Sequence, residues 1–214
     1  MTQAHAATHV SQAPADKGLG FGSATNGKIA MWIFLVTDGL TFAGLLLGYG
    51  YLRIKNPNWP NPSVHLGIVL TAIATFILIC SSLTMVLSLA AAEEKNKGGM
   101  LKFLALTALG GISFLGIQAY EYTHLHHEGF SLSAFVDPEH PTVPFNFAST
   151  FFVITGFHGL HVFTGVTYLI TMLVKGARRP QIDAAYMNLL EIAGLFWHFV
   201  DLVWILVFTF IYLI

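Results

Sequence analysis

Charge is what this sequence has least of: only 10% of its 214 residues are Asp, Glu, Lys or Arg. A soluble domain carries about a quarter. With 55% hydrophobic residues and a mean hydropathy of +0.66, the chain reads as an integral membrane protein. Cysteine is nearly absent as well. The single Cys80 excludes a disulfide framework and any CxxC metal or redox motif, and in its apolar run it reads as a small membrane-core residue. There is no basic run and the net charge is −1, which excludes nucleic-acid binding. Residues 1–27 have neither a basic start nor an apolar core, so they do not read as a signal peptide. Their Gly, Ala, Ser, Thr and His content, His5 and His9 included, reads as a flexible tail before a single membrane domain over 28–214.

What the chain has is length in apolar runs. About 20 mostly apolar residues cross the roughly 30 Å hydrocarbon layer as a helix. Five stretches meet this: Lys28 to Leu52, Val64 to Ala92, Leu101 to Tyr122, Phe145 to Val174, and Ala184 to Ile214. The fold class expected is all-α, an integral membrane bundle of five transmembrane helices. NPNWPNP at 56–62 breaks the first from the second, because proline lacks the amide donor. EEKNKGG at 93–99 and KGARRPQID at 175–183 are charged turns, and 123–144 is a longer, His-rich loop without Lys or Arg. With the N-terminus inside and the C-terminus outside, the inner side holds Lys17, Lys28, Lys95, Lys97, Lys102, Lys175, Arg178 and Arg179, and the outer side only Arg53 and Lys55. The positive-inside rule favours that orientation. Five spans do not divide into two equal halves and no internal repeat is visible, which counts against a transporter.

Polar residues inside these spans are the candidates for function, since an ionisable side chain at membrane depth is costly and usually faces a protein interior. Asp38 lies about 14 Å into the first span, either as a proton-linked carboxyl or as a packed, protonated acid. Gly44 and Gly48 give the same helix a small-residue face suited to close approach by another backbone. His158 and His161, three apart, share a face of the fourth span. Glu191, His198 and Asp201 share a stripe of the fifth. A short loop joins these two spans, so the stripes are expected to meet at similar depth. Such a meeting can ligate a metal or haem, form a hydrogen-bonded network, or hold a lipid head group. Gln118 and Glu121 close the third span beside Tyr120 and Tyr122, which suit an interfacial aromatic belt, as do Trp32, Trp59, Trp197 and Trp204. His124, His126, His127 and His140 read as a solvated outer loop rather than a metal site.

Taken with their surroundings, these residues resemble a known family. FFVITGFHGLHVFTGVTYL at 151–169 and EIAGLFWHFVDLVWILVFTFIYL at 191–213 are similar to the last two helices of subunit III of haem–copper oxidases, the cytochrome c oxidase type. WIFLVTDGLTFAGLL at 32–46, SSLTM at 81–85 and the GxxFLGxQAYEY pattern at 111–122 agree, so the resemblance spans about 28–214. Five spans match the short bacterial form, which lacks the first two helices of the seven-span version.

The resemblance implies a non-catalytic subunit with no cofactor or metal of its own, in the inner (plasma) membrane of a bacterium. It would pack against subunit I, which carries the haems and copper, hold phospholipid, and support proton uptake and stability of a complex fed by cytochrome c or by quinol. Under it, Asp38, Glu121, His158, His161, Glu191, His198 and Asp201 become buried polar or proton-linked positions, with no catalytic residue among them. Arg178 and Arg179 become candidates for an anionic lipid head group. One departure stands out, because Asp38 is a methylene shorter than the family's glutamate. The rival readings are an accessory subunit of a quinol oxidase or nitric oxide reductase, and a stand-alone transporter or haem-binding membrane protein.

Overall fold

The computed structural model describes residues 25–57, 59–60, 66–127 and 145–214. Among them every regular element is helical: α1 (Asn26–Lys55), α2 (Ile68–Glu93), α3 (Lys97–His127), α4 (Phe145–Arg178) and α5 (Ala184–Phe208). A π-helical turn, Thr209–Leu213, continues α5. All five helices are long and apolar enough to cross a membrane.

Local chemistry sets the helix ends. Thr25 accepts a hydrogen bond from the Lys28 amide and Asp183 from the Tyr186 amide, each satisfying an amide that the first helical turn leaves open. Basic residues occupy the last turns of α1 (Arg53, Lys55) and α4 (Lys175, Arg178), where the helix dipole favours positive charge. The charged turn expected over 93–99 is tighter than the sequence suggested. Only Glu94–Asn96 separate α2 from α3, with Lys95 in the left-handed region at φ 59° and the Asn96 carbonyl oxygen Oδ1 accepting from the Gly99 amide at 3.0 Å.

Helices α2, α3, α4 and α5 form a four-helix ring in which each packs on the next and α5 returns to α2. α1 lies outside this ring, against α4 and α5. Trp197 and Trp204 of α5 fill the interior, both fully buried, and this corrects their expected place in an interfacial belt. Trp32, by contrast, is exposed on α1. The Trp197 ring is wedged between glycines of two other helices: a Cβ on Gly111 would lie 2.5 Å from its Cη2, and one on Gly165 would lie 3.0 Å from its Cε3. Large apolar side chains such as Leu47, Val69 and Phe76 cover the outside, as a lipid-facing surface requires.

Other expectations shift. Helix α3 runs on through His124, His126 and His127, so these histidines form its last turn rather than a loop; His140 lies outside the described residues, as do 1–24 of the proposed tail. Cys80 is exposed on α2 rather than packed in the core. Nothing in the described chain approaches Gly44 or Gly48 within 4 Å of an added Cβ, so their small face is not used by this chain's own helices.

Candidate functional site

The polar residues of the spans do not gather in one place. The stripes on α4 and α5 were expected to meet, and the helices are indeed neighbours, but among the described residues no hydrogen bond or ion pair joins His158 or His161 to Glu191, His198 or Asp201. Each stripe is divided among different neighbours because consecutive turns of a helix in a ring point toward different helices. Among the described residues, no three His, Cys, Asp or Glu side chains are grouped as metal ligands.

The first group joins α1 to α4. Asp38 Oδ2 lies 3.3 Å from His161 Nε2, with both side chains largely buried. His161 Nδ1 is 2.7 Å from the Phe157 carbonyl, which only accepts, so Nδ1 carries a hydrogen. Nε2 is thereby the nitrogen left to face the Asp38 carboxyl. The 3.3 Å separation is an ion-pair distance; Asp38 Oδ2 has no aligned hydrogen bond. Phe42 and Phe157 enclose the pair, with ring centroids 5.3 and 4.6 Å from His161.

His158 turns the other way, into the ring. It has no exposed surface, stacks on Trp204 at 4.9 Å and meets Phe114 edge-on at 5.9 Å. Neither of its nitrogens has a hydrogen-bond partner. Trp204 is held in turn by its Nε1, which donates to Thr75 Oγ1 of α2 at 2.9 Å.

The second group joins α5 to α2. His198 Nδ1 is 3.2 Å from Ser82 Oγ, and Ser82 also hydrogen-bonds the Asp201 carboxyl. One residue before His198, on the inner side of α5, Trp197 Nε1 donates to Ser81 Oγ at 3.1 Å. Asp201 is buried and His198 half-buried.

The third group lies toward the end of α3. Glu121 is buried and accepts twice, at Oε1 from Thr71 of α2 (3.1 Å) and at Oε2 from the Tyr212 hydroxyl (2.9 Å). Beside it, Gln118 Nε2 donates to the Thr155 carbonyl at 2.8 Å, and the Tyr122 hydroxyl lies 2.6 Å from Thr155 Oγ1. Thr155 Oγ1 already donates to the Phe151 carbonyl, so Tyr122 is the donor of that pair.

Glu191 belongs to none of these groups and is not buried. It pairs with Lys28 of α1, one turn from a hydrogen bond in which Thr25 Oγ1 donates to Asn188 Oδ1 at 2.8 Å. Arg179 is engaged by Asp183 at 2.5 Å and lies over the Tyr186 ring, whereas Arg178 is exposed.

Sequence reasoning missed Ser81, Ser82, Thr71, Thr75 and Tyr212, which supply most of the hydrogen bonds. A signal was available in α2, where Thr71, Thr75 and Ser82 recur four and seven residues apart on one face. Interhelical bonds from small hydroxyls are a common glue of membrane bundles.

Comparison with known proteins gives a consistent result. The model of the family described as cytochrome c oxidase subunit III matches residues 21–214. A cytochrome c oxidase subunit 3 from Thermostichus vulcanus is 34% identical over 186 residues, covering 87% of this chain and 86% of that one. One from Bacillus subtilis (strain 168) is 32% identical over 189 residues, covering 88% and 86%. A cytochrome bo(3) ubiquinol oxidase subunit 3 from Pseudomonas putida is 32% identical over 186 residues, covering 87% and 84%.

Proposed function

Since this chain belongs to the cytochrome c oxidase subunit III family, we propose that it is the non-catalytic subunit of a proton-pumping terminal oxidase in a bacterial inner membrane. It packs against the subunit that carries the haems and copper, holds phospholipid at its surface, and supports proton uptake and the working lifetime of the complex. The chain itself carries no redox centre. The observation that carries this reading is the division of its intramembrane polar groups into interhelical pairs: Asp38 with His161, Ser82 with His198 and Asp201, and Glu121 with Thr71 and Tyr212. Such pairs hold helices in register.

Two apolar clefts support the lipid-holding part. One, of about 370 Å³, runs between α1 and α5 past Gly39, Phe42, Leu46, Phe199, Leu202 and Leu206. The other, of about 390 Å³, lies where Met31, Phe34, Thr164, Tyr168, Ile192 and Phe196 bring α1, α4 and α5 together. Both are lined almost wholly by apolar surface, as an acyl-chain groove requires. Arg178, exposed at the end of α4, is a candidate cation for an anionic head group, with Arg179 beside it already paired to Asp183.

Asp38 and His161 are the pair through which a proton-linked role acts. Cytochrome c is the donor to the complex in this reading. Quinol is the second reading, favoured by similarity to the ubiquinol oxidase subunit of Pseudomonas putida. Purification of the tagged chain in mild detergent tests the proposal. The expected result is co-purification of a haem- and copper-bearing subunit, with the isolated chain free of stoichiometric iron and copper. A Soret band from the isolated chain would overturn it, and cytochrome c against quinol turnover decides the donor.

A further inference from the structure

The end of α1 carries polar groups that belong to none of the pairs described above. The Asn56 amide closes the helix on the Arg53 carbonyl and the Trp59 amide returns to the Asn56 carbonyl, so the chain folds back on itself. The fold-back lays the Trp59 indole edge-on against Tyr49 of α1 at 5.4 Å and against Phe147 of α4 at 5.6 Å. Tyr49 and Arg53, four residues apart, lie one turn from each other on the same face of α1. Arg53 Nη2 donates to the main-chain oxygen of Ile214, which brings the end of the α5 segment to the same corner.

Three polar atoms in this corner are buried without a hydrogen-bond partner: Tyr49 Oη, Arg53 Nη1 and Trp59 Nε1. They stand within one short stretch of chain, and Tyr49 is only 2% exposed. An indole and a guanidinium can only donate, and a phenol hydroxyl donates as readily as it accepts, so one acceptor would satisfy all three. Arg53 also brings a positive charge, and among the described residues no Asp or Glu side chain pairs with it. Burying donors unmatched beside a cation is costly, and a bound anion removes that cost.

The donor set also limits which anion. One guanidinium balances a single negative charge, so a divalent phosphate is overcharged for the site. The rings of Tyr49, Trp59 and Phe147 form apolar walls, and the three donor atoms are shielded from the surface, which excludes a bulky head group. A small, monovalent, acceptor-only ion that sheds water readily meets these conditions, and chloride is such an ion.

We propose that Tyr49, Arg53 and Trp59 form a chloride-binding site that fastens the end of α1 to α4 and α5. The ion accepts from Arg53 Nη1, Trp59 Nε1 and the Tyr49 hydroxyl, while the other arm of Arg53 holds Ile214. The site makes the stability of the bundle depend on chloride, and it does not depend on the oxidase reading.

The test is thermal unfolding of the purified full chain in detergent, with sodium chloride replaced by sodium gluconate at constant ionic strength. The midpoint is expected to rise and saturate with chloride, by about 2–4 °C once chloride exceeds its dissociation constant about five-fold. Arg53→Gln and Trp59→Phe should abolish the rise. Lys55→Gln should keep it, since the Lys55 ammonium lies over the Tyr51 ring instead. Equal midpoints in chloride and gluconate, or an Arg53→Gln chain that responds as wild type does, overturn the proposal. Crystals of the wild-type chain grown in bromide give a second readout that needs no variant to fold. An anomalous peak among Tyr49, Arg53 and Trp59 is expected, and its absence there counts against the site. Stabilisation by phosphatidylglycerol in chloride-free detergent that Arg53→Gln abolishes and chloride does not reproduce would assign the donors to a lipid phosphate and overturn the chloride site.

Discussion

Asp38 of α1 and His161 of α4 face each other at 3.3 Å, a largely buried pair that ties the outlying helix to the four-helix ring. His161 Nδ1 is committed to the Phe157 carbonyl, so the ring cannot flip to release Nε2 without losing that bond. Phe42 and Phe157 close the pocket around the pair.

Asp38→Asn is therefore expected to leave the complex assembled while altering proton uptake or shortening its lifetime over many turnovers. Stopped-flow proton uptake and inactivation during sustained turnover are the measurements. Unchanged pumping together with unchanged inactivation would mean that Asp38 is only packed. A double-mutant cycle on stability sharpens this. Asp38→Ala and His161→Ala each leave a buried polar partner unmatched, at a cost of about 1–3 kcal/mol. The double variant should cost less than their sum, with a coupling of about 0.5–3 kcal/mol.

The five spans were legible because a membrane helix must satisfy its backbone internally and be apolar for its whole length, so hydropathy alone marks it. Their ends were less so. Helix α3 continues past the apolar run to His127, since helical hydrogen bonding does not stop where the lipid does. The pairings were not legible. Spacing shows which residues share a face of one helix, as with His158 and His161, but the packing angle decides which neighbour that face meets. Here one turn sends His161 to α1 and His158 to the interior beside Trp204. Trp197 and Trp204 looked like belt residues because composition cannot tell an indole at an interface from one wedged against glycine. What distinguishes them is Gly111, Gly165, Ser81 and Thr75 on three other helices.

That wedge supplies a second prediction. Gly111→Ala puts a methyl 2.5 Å from both Trp197 Cη2 and Val166 Cγ2, two fully or nearly fully buried groups with little room to move. Overpacking of this kind costs about 1–3 kcal/mol. Gly165→Ala, at 3.0 Å from the same ring, should cost less, and Gly116→Ala, with nothing within 4 Å, should be neutral. Thermal unfolding in detergent should give that order, and a Gly111→Ala protein as stable as the Gly116→Ala one would contradict the placement of Trp197.

Glu121 makes a third case. Its two oxygens accept from Thr71 and Tyr212, so the carboxylate closes α2, α3 and the π-helical turn into one cluster. Tyr212→Phe removes a single donor and should cost about 1 kcal/mol, whereas Glu121→Ala leaves the buried Tyr212 hydroxyl unmatched, with Thr71 Oγ1 falling back on the Gly67 carbonyl, and should cost more. With Ala at 121, the further change of Tyr212 to Phe should be nearly free. Equal, additive losses in denaturant unfolding would show that the two residues do not share a bond.

The pairing of Lys28 with Glu191 predicts something different, because both side chains are about a third exposed, at 30% and 33%. Exposed ion pairs contribute about 0.2–1 kcal/mol and are screened by salt. Lys28→Glu places two carboxylates where α1 meets α5 and should loosen the start of α1, which Thr25 and Asn188 otherwise hold by one hydrogen bond. The reciprocal swap, Lys28→Glu with Glu191→Lys, should restore it. Limited proteolysis near residue 25 reads the loosening directly: cleavage should rise in the single variant, fall back in the swap, and differ less between them at high salt. If the swap is cleaved as fast as Lys28→Glu, the pair does not anchor α1, and the anchoring falls to Thr25 and to Ile192, which lies 3.1 Å from where a Cβ on Gly27 would sit.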